Sequence, residues 1–333
     1  MTNSLSQTVL LTDYAWADVE IEREIIEGAG FKLVSGDSSP APAELIAQMV
    51  HDHQPAAILT CWAQVSADAV AASPDLRIIT RLGICLDNIA VDEATRRGVW
   101  VTNVPTYCVE EVSDHAVAMI LAWSRGLLHF DREVKAGRWE PASAKLRRLS
   151  TLTCGIVGYG RIGQRTAHKL KVGFGVQMLA HDPFPRAGDP LVEFVPLDEL
   201  LARSHVVIVH APSTPETKHL INRHTLASMR AGAFLVNVSR GAIVDTDALI
   251  EALQSGHLSG AGLDVLEGEP VVPPALASRS DVILTPHVAF TSDASLRELR
   301  HSAAEEVVRV LRGEKPLEAR NAPESPRMGG SRG

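Results

Sequence analysis

Short apolar runs alternate with predicted helices along most of the chain. Runs of strand length occur in the first part at TVLLT, FKLV, AAILT, LRIIT and VWVTN. The segments between them are predicted to be helical: ADVEIEREIIEGAG, APAELIAQMVHDH, SADAVAAS and DEATRRG. This alternation predicts a parallel β-sheet covered by helices on both faces.

A second series of the same kind follows the long predicted helix VEEVSDHAVAMILAWSRGLLHFDREVKAGRW. Its strand candidates are TCGIVGYG, VQMLAHD, HVVIVHAP, AFLVNVSRG, GAGLDV and DVILTPH. A last helix is predicted at SDASLRELRHSAAEEVVRVLRG, and the tail is predicted to be disordered after about residue 320. Because ligands of parallel sheets bind at the carboxyl ends of the strands, we expect the chemistry in the loops that follow them.

Composition narrows the class of protein. The chain has 333 residues, 45% hydrophobic and 22% charged, which is typical of a soluble globular protein with one or two domains. A net charge of -8 argues against binding to nucleic acid or anionic membranes. No apolar run approaches the roughly 20 residues that span a bilayer, and no signal peptide is recognisable.

The cysteines and histidines do not predict a metal site. The four cysteines are far apart and form no CxxC pair, so neither a disulfide framework nor a zinc site is expected, and a cytoplasmic location is predicted. His51 and His53 lack a third ligand nearby. The cysteines are Cys61, Cys85, Cys108 and Cys154.

A glycine-rich loop opens the second series. Gly158, Gly160 and Gly163 have G-x-G-x-x-G spacing between a strand and a helix, and the next strand ends at Asp182. This βαβ fingerprint predicts a dinucleotide site, in which the pyrophosphate approaches the helix N-terminus and the acidic residue accepts hydrogen bonds from the ribose. Asp182 favours NAD over NADP, although Arg186 is near enough in sequence to soften that preference. The predicted loop is completed by Tyr159, Arg161 and Ile162.

Three later strand ends carry side chains suited to hydride transfer on a hydroxy acid. Arg240, Glu269 and His287 lie in the loops after LVNVS, GLDV and ILTP. Arginine binds a carboxylate in a bidentate manner, and histidine acts as an acid or base near neutral pH. A carboxylate beside the histidine holds its tautomer and stabilises its cation. Each residue alone has an equally good structural interpretation, but all three behind a dinucleotide fingerprint favour catalysis.

The sequence resembles the D-isomer-specific 2-hydroxyacid dehydrogenases, which include D-3-phosphoglycerate dehydrogenase, glyoxylate/hydroxypyruvate reductase and D-lactate dehydrogenase. YCVEEVSDH together with HVAFTSDAS is most similar to the branch that contains the C-terminal-binding corepressor proteins. The matching segments occur in the family's order over about two-thirds of the chain. They are NVPTYCVEEVSDHAVAMIL, GIVGYGRIG, HAPSTPETKHLI, LVNVSRGAIVDTDALIEAL, GAGLDVLEGEP and TPHVAFTSDAS.

The resemblance implies an α/β fold with two doubly wound parallel-sheet domains. A Rossmann NAD domain of residues 103–291 would be inserted in a flavodoxin-like, discontinuous substrate domain of residues 1–102 and 292–333. The active site would lie in the cleft between them. The resemblance also implies a homodimer formed through the helical arm near REVKAGRW, where Trp139 either packs at the interface or in the core.

The resemblance assigns the same catalytic set as the chemical argument: Arg240, Glu269 and His287. It implies that Asp264 holds the nicotinamide carboxamide. Further residues implied to line the cofactor are Val112, His210, Pro212, Val238, Ser239, Arg240 and His287.

The stretch RLGICLDN, residues 81–88, departs from the family pattern. Relatives usually read R-x-G-x-G-x-D-N-x-D, and the backbone N–H groups of this loop bind the substrate carboxylate; here Cys85 replaces the second glycine and Ala90 the last aspartate. The donors of Ile84 and Cys85 persist if φ stays negative. Cys85 is therefore predicted to be a wall of the substrate pocket, and Trp62 is a second candidate, with core packing as its alternative.

These observations lead to one main hypothesis and two alternatives. The main one is an NAD-dependent dehydrogenase of small 2-hydroxy acids, acting as a 2-ketoacid reductase. One alternative is an NAD(H)-sensing interaction protein with little turnover, as the corepressor resemblance allows. The other is a dehydrogenase of a non-carboxylate oxyanion such as phosphite, which Arg240 would also bind.

Overall fold

The computed structural model describes residues 7–185 and 188–327. The chain forms two compact units, one ending at Tyr107 and resuming at Ser292, the other spanning Cys108–Thr291. Each unit contains one sheet whose paired strands are all parallel. The predicted fold class, two α/β units with parallel sheets, is confirmed.

The first unit has a five-stranded sheet with the order β2-β1-β3-β4-β5, which is the flavodoxin-like order. β3 and β4 are buried at every position, as continuous apolar runs require when helices cover both faces of a sheet. The strands are β1 (Thr8–Leu11), β2 (Lys32–Ser35), β3 (Ala57–Thr60), β4 (Ile78–Arg81) and β5 (Trp100–Thr102).

The helices of the first unit come from both ends of the chain. They are α1 (Glu20–Gly28), α2 (Ala43–His53), α3 (Ala67–Ala72), α4 (Val91–Arg96) and α12 (Asp293–Leu311). α12 begins with a capping box in which Ser292 and Ser295 exchange side-chain and backbone hydrogen bonds. It packs against α1, and its Arg300 donates to the fully buried carboxylate of Glu22 at 2.8 Å.

The segment after α12 runs along the edge of the first sheet. The backbone N–H of Arg320 donates to Val101 O at 2.8 Å, and the side-chain oxygen of Asn321 accepts from Val101 N–H at 2.8 Å. The N–H of Arg327 donates to Gly98 O at 2.8 Å. The disorder predicted after about residue 320 is therefore wrong for residues 321–327, because Asn321 and Arg327 at its two ends hydrogen-bond to the sheet and its adjoining loop. Residues 328–333 lie outside the described part.

The second unit has a seven-stranded sheet with the order β12-β11-β10-β9-β6-β7-β8. The order reverses beside β6, as in a Rossmann fold, where ligands bind at the carboxyl ends of the strands. The strands are β6 (Thr153–Val157), β7 (Gln177–His181), β8 (Glu193–Phe194), β9 (Val206–Val209), β10 (Ala233–Asn237), β11 (Leu258–Leu263) and β12 (Val282–Leu284).

The long helix predicted over residues 109–139 is divided into two helices. Gly126 has a φ of 61° and caps the first of them, so the chain changes direction there. The helices of this unit are α5 (Val109–Arg125), α6 (Leu127–Lys135), α7 (Arg161–Phe174), α8 (Leu197–Arg203), α9 (Arg223–Ser228), α10 (Thr246–Gln254) and α11 (Pro274–Ala277). Within the described ranges, no helix is both long enough and apolar enough to cross a membrane.

Candidate active site

The glycine loop joins β6 to the N-terminus of α7. Gly158 has a φ of 94°, and a Cβ there would lie 2.4 Å from the backbone nitrogen of Ala211, so this turn requires glycine. A Cβ at Gly160 would meet nothing within 4 Å. Open space therefore lies in front of the first turn of α7, where the N–H groups of Arg161 and Ile162 have no intrahelical partner. This cradle fits a pyrophosphate.

Asp182 stands at the end of β7 with its carboxylate turned toward the glycine loop. The N–H of Tyr159 donates to Oδ2 at 2.7 Å, and the N–H of Phe184 donates to Oδ1 at 2.9 Å. The side chain is partly exposed, so each oxygen keeps an acceptor position for a ribose hydroxyl. Arg186, expected to soften the preference for NAD, lies outside the described residues.

His210 follows β9 and is held in its neutral form. Burial lowers the pKa of His210 to about 3, and its Nε2 lies 3.0 Å from Thr166 Oγ1 on α7. Beside it, the hydroxyl of Ser239 donates to Ala211 O. The remaining residues predicted to line the cofactor are the buried Val112 on α5, the exposed Pro212 after β9 and the buried Val238 after β10.

The three predicted catalytic residues follow the neighbouring strands β10, β11 and β12. His287 Nδ1 lies 2.8 Å from Glu269 Oε1, and the histidine side chain is only 18% exposed. Arg240 is partly buried, and its guanidinium donates to Ser239 O at 3.0 Å. The structure thus brings His287 and Glu269 into direct contact.

The Arg240 loop and the Glu269 loop touch through their backbones. A Cβ at Gly241 would lie 2.0 Å from the carbonyl carbon of Leu266 and 2.3 Å from the nitrogen of Glu267, so only glycine permits this contact. Arg240 is close enough to Glu269 for its charge to lower the pKa of that carboxyl. The two loops are therefore packed so that the guanidinium of Arg240, the carboxylate of Glu269 and the imidazole of His287 lie near one another at one edge of the sheet.

Glu269 is held in its ionised form. Desolvation by burial raises its pKa, but the hydrogen bond and the charge of His287 outweigh desolvation. The backbone N–H of Leu266 adds to this effect. The net result is a pKa below the ordinary value for glutamate, so the carboxylate stays negative at neutral pH and stabilises a positive charge on His287.

Asp264 is buried and binds the turn around His287. Its Oδ1 accepts from Val288 N–H at 3.0 Å and from the Thr285 hydroxyl at 2.5 Å, and its Oδ2 accepts from Ala289 N–H at 2.9 Å. The side chain is 1% exposed. Asp264 therefore holds the turn, and its contact with the nicotinamide carboxamide stays a prediction of the resemblance.

Two histidines that the sequence did not single out have partners near the catalytic loops. His115, on α5, places Nε2 at 2.9 Å from Thr285 Oγ1. His219 has a φ of 50° and places Nε2 at 2.6 Å from Glu267 Oε1. His115 gave no signal beyond being an ionisable residue on a predicted helix, whereas Thr285 directly follows a strand, where functional side chains are expected.

The substrate-loop candidates lie in the first unit. Among the described non-glycine residues, a positive φ occurs at Gln54, His219 and His287, so Cys85 keeps a negative φ and its N–H retains an ordinary orientation. Ile84 and Cys85 are both partly exposed. Trp62 is also partly exposed, and the Arg81 guanidinium carbon lies 5.5 Å from the centre of its ring.

Residues 117–289 match the family model described as the NAD binding domain of D-isomer specific 2-hydroxyacid dehydrogenases. The matched span is more than half of the chain and contains the glycine loop, Arg240, Glu269 and His287. The chain belongs to this family. The resemblance noted in the sequence is thereby confirmed.

The relatives include enzymes of different lengths. The chain is 38% identical over 288 residues to a glyoxylate reductase of Korarchaeum cryptofilum, covering 84% of this chain and 86% of the relative. It is 40% identical over 253 residues to a D-3-phosphoglycerate dehydrogenase of Mycobacterium leprae, covering 75% of this chain but only 48% of that protein. The chain therefore spans about half the length of the latter enzyme.

One solved structure has a similar fold over nearly the whole chain. The NADPH-dependent glyoxylate/hydroxypyruvate reductase of Sinorhizobium meliloti, crystallised with NADP and malonate, superposes with a TM-score of 0.82 and 30% identity. The superposition covers 96% of this chain and 98% of the reductase. A structural relative of this chain is therefore NADPH-dependent, so similarity alone does not decide between NAD and NADP.

Proposed function

We propose that this protein is an NAD-dependent dehydrogenase of small 2-hydroxy acids that acts as a 2-ketoacid reductase. The observation that carries the proposal is the contact of 2.8 Å between His287 Nδ1 and Glu269 Oε1, on loops that follow strands of the same sheet as the dinucleotide fingerprint. A histidine paired with an ionised carboxylate suits proton transfer near neutral pH.

Each residue has a role in the reaction. Arg240 binds the substrate carboxylate and polarises the keto oxygen. His287, cationic beside Glu269, donates its proton from Nε2 to the oxygen that becomes the hydroxyl. A nicotinamide dinucleotide held by the glycine loop would supply the hydride in reduction and accept it in oxidation. Glu269 keeps the imidazole oriented and stabilises its charge before the transfer.

Asp182, whose carboxylate faces the glycine loop, favours NAD. The carboxylate of Asp182 has acceptor positions for two ribose hydroxyls, and its negative charge would repel a 2′-phosphate. The glycine loop and α7 would hold the pyrophosphate through Tyr159, Gly160, Arg161, Ile162 and Gly163. This preference differs from that of the NADPH-dependent relative.

We also propose a homodimer formed through the second unit. α6 contains no buried residue and exposes several large apolar side chains, which a second copy of the chain would cover. Trp139, in the segment after α6, is 80% exposed, so its side chain does not pack in the core of its own chain. The exposed set is Leu127, Leu128, Val134, Trp139 and Leu146. Light scattering coupled to size exclusion should give twice the mass of the chain, and Leu128→Glu should give the monomer mass.

A substrate panel tests the proposed activity. NADH oxidation is measured with glyoxylate, hydroxypyruvate, pyruvate and bulkier 2-ketoacids, and NAD⁺ reduction is measured with phosphite. Turnover of at least one ketoacid, faster with NADH than with NADPH, is expected. Tight NADH binding without turnover of any compound would favour the sensor, and phosphite-dependent NADH formation would favour the oxyanion dehydrogenase.

A further inference from the structure

A chain of hydrogen bonds connects α5 with the turn that carries His287. His115 Nε2 lies 2.9 Å from Thr285 Oγ1, and that hydroxyl oxygen lies 2.5 Å from Asp264 Oδ1. All three side chains belong to the second unit, but they come from α5, the loop after β12 and the end of β11. These hydrogen bonds therefore connect a helix with the ends of two neighbouring strands.

The direction of these hydrogen bonds follows from their chemistry. A carboxylate only accepts, so the single hydroxyl hydrogen of Thr285 is donated to Asp264. The Thr285 oxygen must then accept from His115, which assigns a proton to Nε2 of that histidine. His115 thus acts as a donor that holds Thr285 in the orientation it needs to bind Asp264.

Asp264 binds the turn on both sides of His287. Thr285 precedes His287, and the two N–H groups that donate to the carboxylate, those of Val288 and Ala289, follow it. The backbone N–H of His287 itself donates to Asp264 O at 2.8 Å. Four of the five residues from 285 to 289 therefore hydrogen-bond to Asp264.

The turn needs such support because His287 has a φ of 54°, in a region that histidine rarely occupies. A residue in this conformation persists only when its surroundings hold it there. The direction of the imidazole, and with it the contact of 2.8 Å to Glu269, depends on this backbone conformation. Loss of one contact around Asp264 would shift the ring relative to its carboxylate partner.

We propose that His115 is a positioning residue for catalysis, acting through Thr285 and Asp264 on the orientation of His287. This inference rests on the proposed function, since it assigns His287 the acid/base role. Apolar side chains supply most of the buried face of α5, and His115 is not among its fully buried residues. The helix is buried through apolar neighbours such as Val112, Ala116 and Met119, whereas the His115 side chain is 23% exposed.

The test compares His115→Leu with His115→Gln on a ketoacid that the parent reduces. Leucine removes the donor, whereas the glutamine amide can donate from about the position of Nε2. His115→Leu should lower kcat by about tenfold to a hundredfold, as expected for a misplaced reacting group. The Kd of NADH and the melting temperature should stay close to those of the parent. His115→Gln should recover most of the lost kcat.

A second pair keeps the inference testable if His115→Leu folds poorly. Thr285→Val removes the hydroxyl and Thr285→Ser keeps it, so only the valine variant should lose kcat. The double variant His115→Leu/Thr285→Val should be no slower than the slower single variant, since both break the same chain. An unchanged kcat in His115→Leu or Thr285→Val would overturn the inference, and so would equal losses in the leucine and glutamine variants.

His287→Asn separates the two proposals. If it lowers kcat while His115→Leu does not, the proposed function stands and the positioning role fails. If His287→Asn itself leaves kcat unchanged, the proposed function fails, and the positioning role fails with it.

Discussion

His287 Nδ1 and Glu269 Oε1 lie 2.8 Å apart although the two residues belong to different loops. Glu269 follows β11 and His287 follows β12, and these strands are hydrogen-bonded neighbours in the second sheet. The parallel sheet therefore assembles the pair, because it places the ends of both strands at the same edge. The contact places a carboxylate beside the imidazole that is proposed to transfer the proton.

Glu269→Gln should change the pH dependence of ketoacid reduction. Glu269 Oε1 lies 2.8 Å from His287 Nδ1, so its negative charge stabilises the positive charge that His287 carries when it donates a proton in reduction. Without that charge, the basic limb of the kcat profile should move to lower pH, and kcat at pH 7.5 should fall at least about tenfold.

Glu267→Gln is the matched control for this profile. It removes a carboxylate two residues away, one that is paired with His219 at 2.6 Å instead of with His287. Its profile should match the parent. If Glu269→Gln shows the same basic limb as the parent, Glu269 does not stabilise the reacting proton.

Asp182→Ala should weaken discrimination between the two dinucleotides. The variant loses hydrogen bonds to the ribose and the charge that repels a 2′-phosphate, so the ratio of kcat/KM for NADH over NADPH should fall at least about tenfold. Steady-state kinetics with both cofactors measure this ratio, with Asp198→Ala on the exposed face of α8 as the control. An unaltered ratio would count against the ribose role of Asp182.

His210→Gln should make the protein less sensitive to mild acid. The pKa of His210 falls to about 3 in the folded protein from an ordinary value of 6.5, so below pH 6.5 the unfolded chain binds a proton that the folded protein does not. Stability is therefore lost as the pH falls from 7 to 5, and the variant should lose less. Melting temperatures at both pH values measure this, with the exposed His301→Gln as control; equal losses in parent and His210→Gln would contradict the account.

Cys85→Gly should alter the choice of ketoacid more than the binding of NADH. Cys85 is partly exposed and stands where the family pattern implied by the resemblance has glycine, so removal of its side chain should widen the substrate pocket. The ratio of kcat/KM for a bulky ketoacid over glyoxylate should rise about fivefold or more, as expected for removing a steric restriction of one small side chain. If neither this ratio nor the Kd of NADH changes, the thiol does not face the substrate.

The sequence was most informative where a local pattern has one physical meaning. Gly158, Gly160 and Asp182 predicted the dinucleotide loop because turn geometry and phosphate approach require those residue types at that spacing. Strand ends also predicted Arg240, Glu269 and His287 as chemistry-bearing positions. Neighbouring strands in a parallel sheet then explain why Glu269 and His287 meet.

Other features depend on contacts that no local pattern carries. The partnership of His115 with Thr285 joins residues 170 positions apart, and nothing near His115 indicates it. Gly126 stands within an otherwise helical pattern, so its left-handed conformation was not foreseen. The segment near Asn321 is polar and has few apolar residues, which is typical of disorder. The side chain of Asn321 nevertheless hydrogen-bonds to backbone groups of Val99 and Val101 at the sheet edge.

The most direct test of the central claim is the turnover of His287→Asn with a ketoacid that the parent reduces. Asparagine tolerates the positive φ of this position but cannot act as an acid at neutral pH. The account predicts that NADH binds with a Kd within about twofold of the parent while kcat falls by about 10²- to 10⁴-fold. A kcat equal to that of the parent, with NADH binding intact, would contradict the assignment of His287 as the acid that completes the reduction.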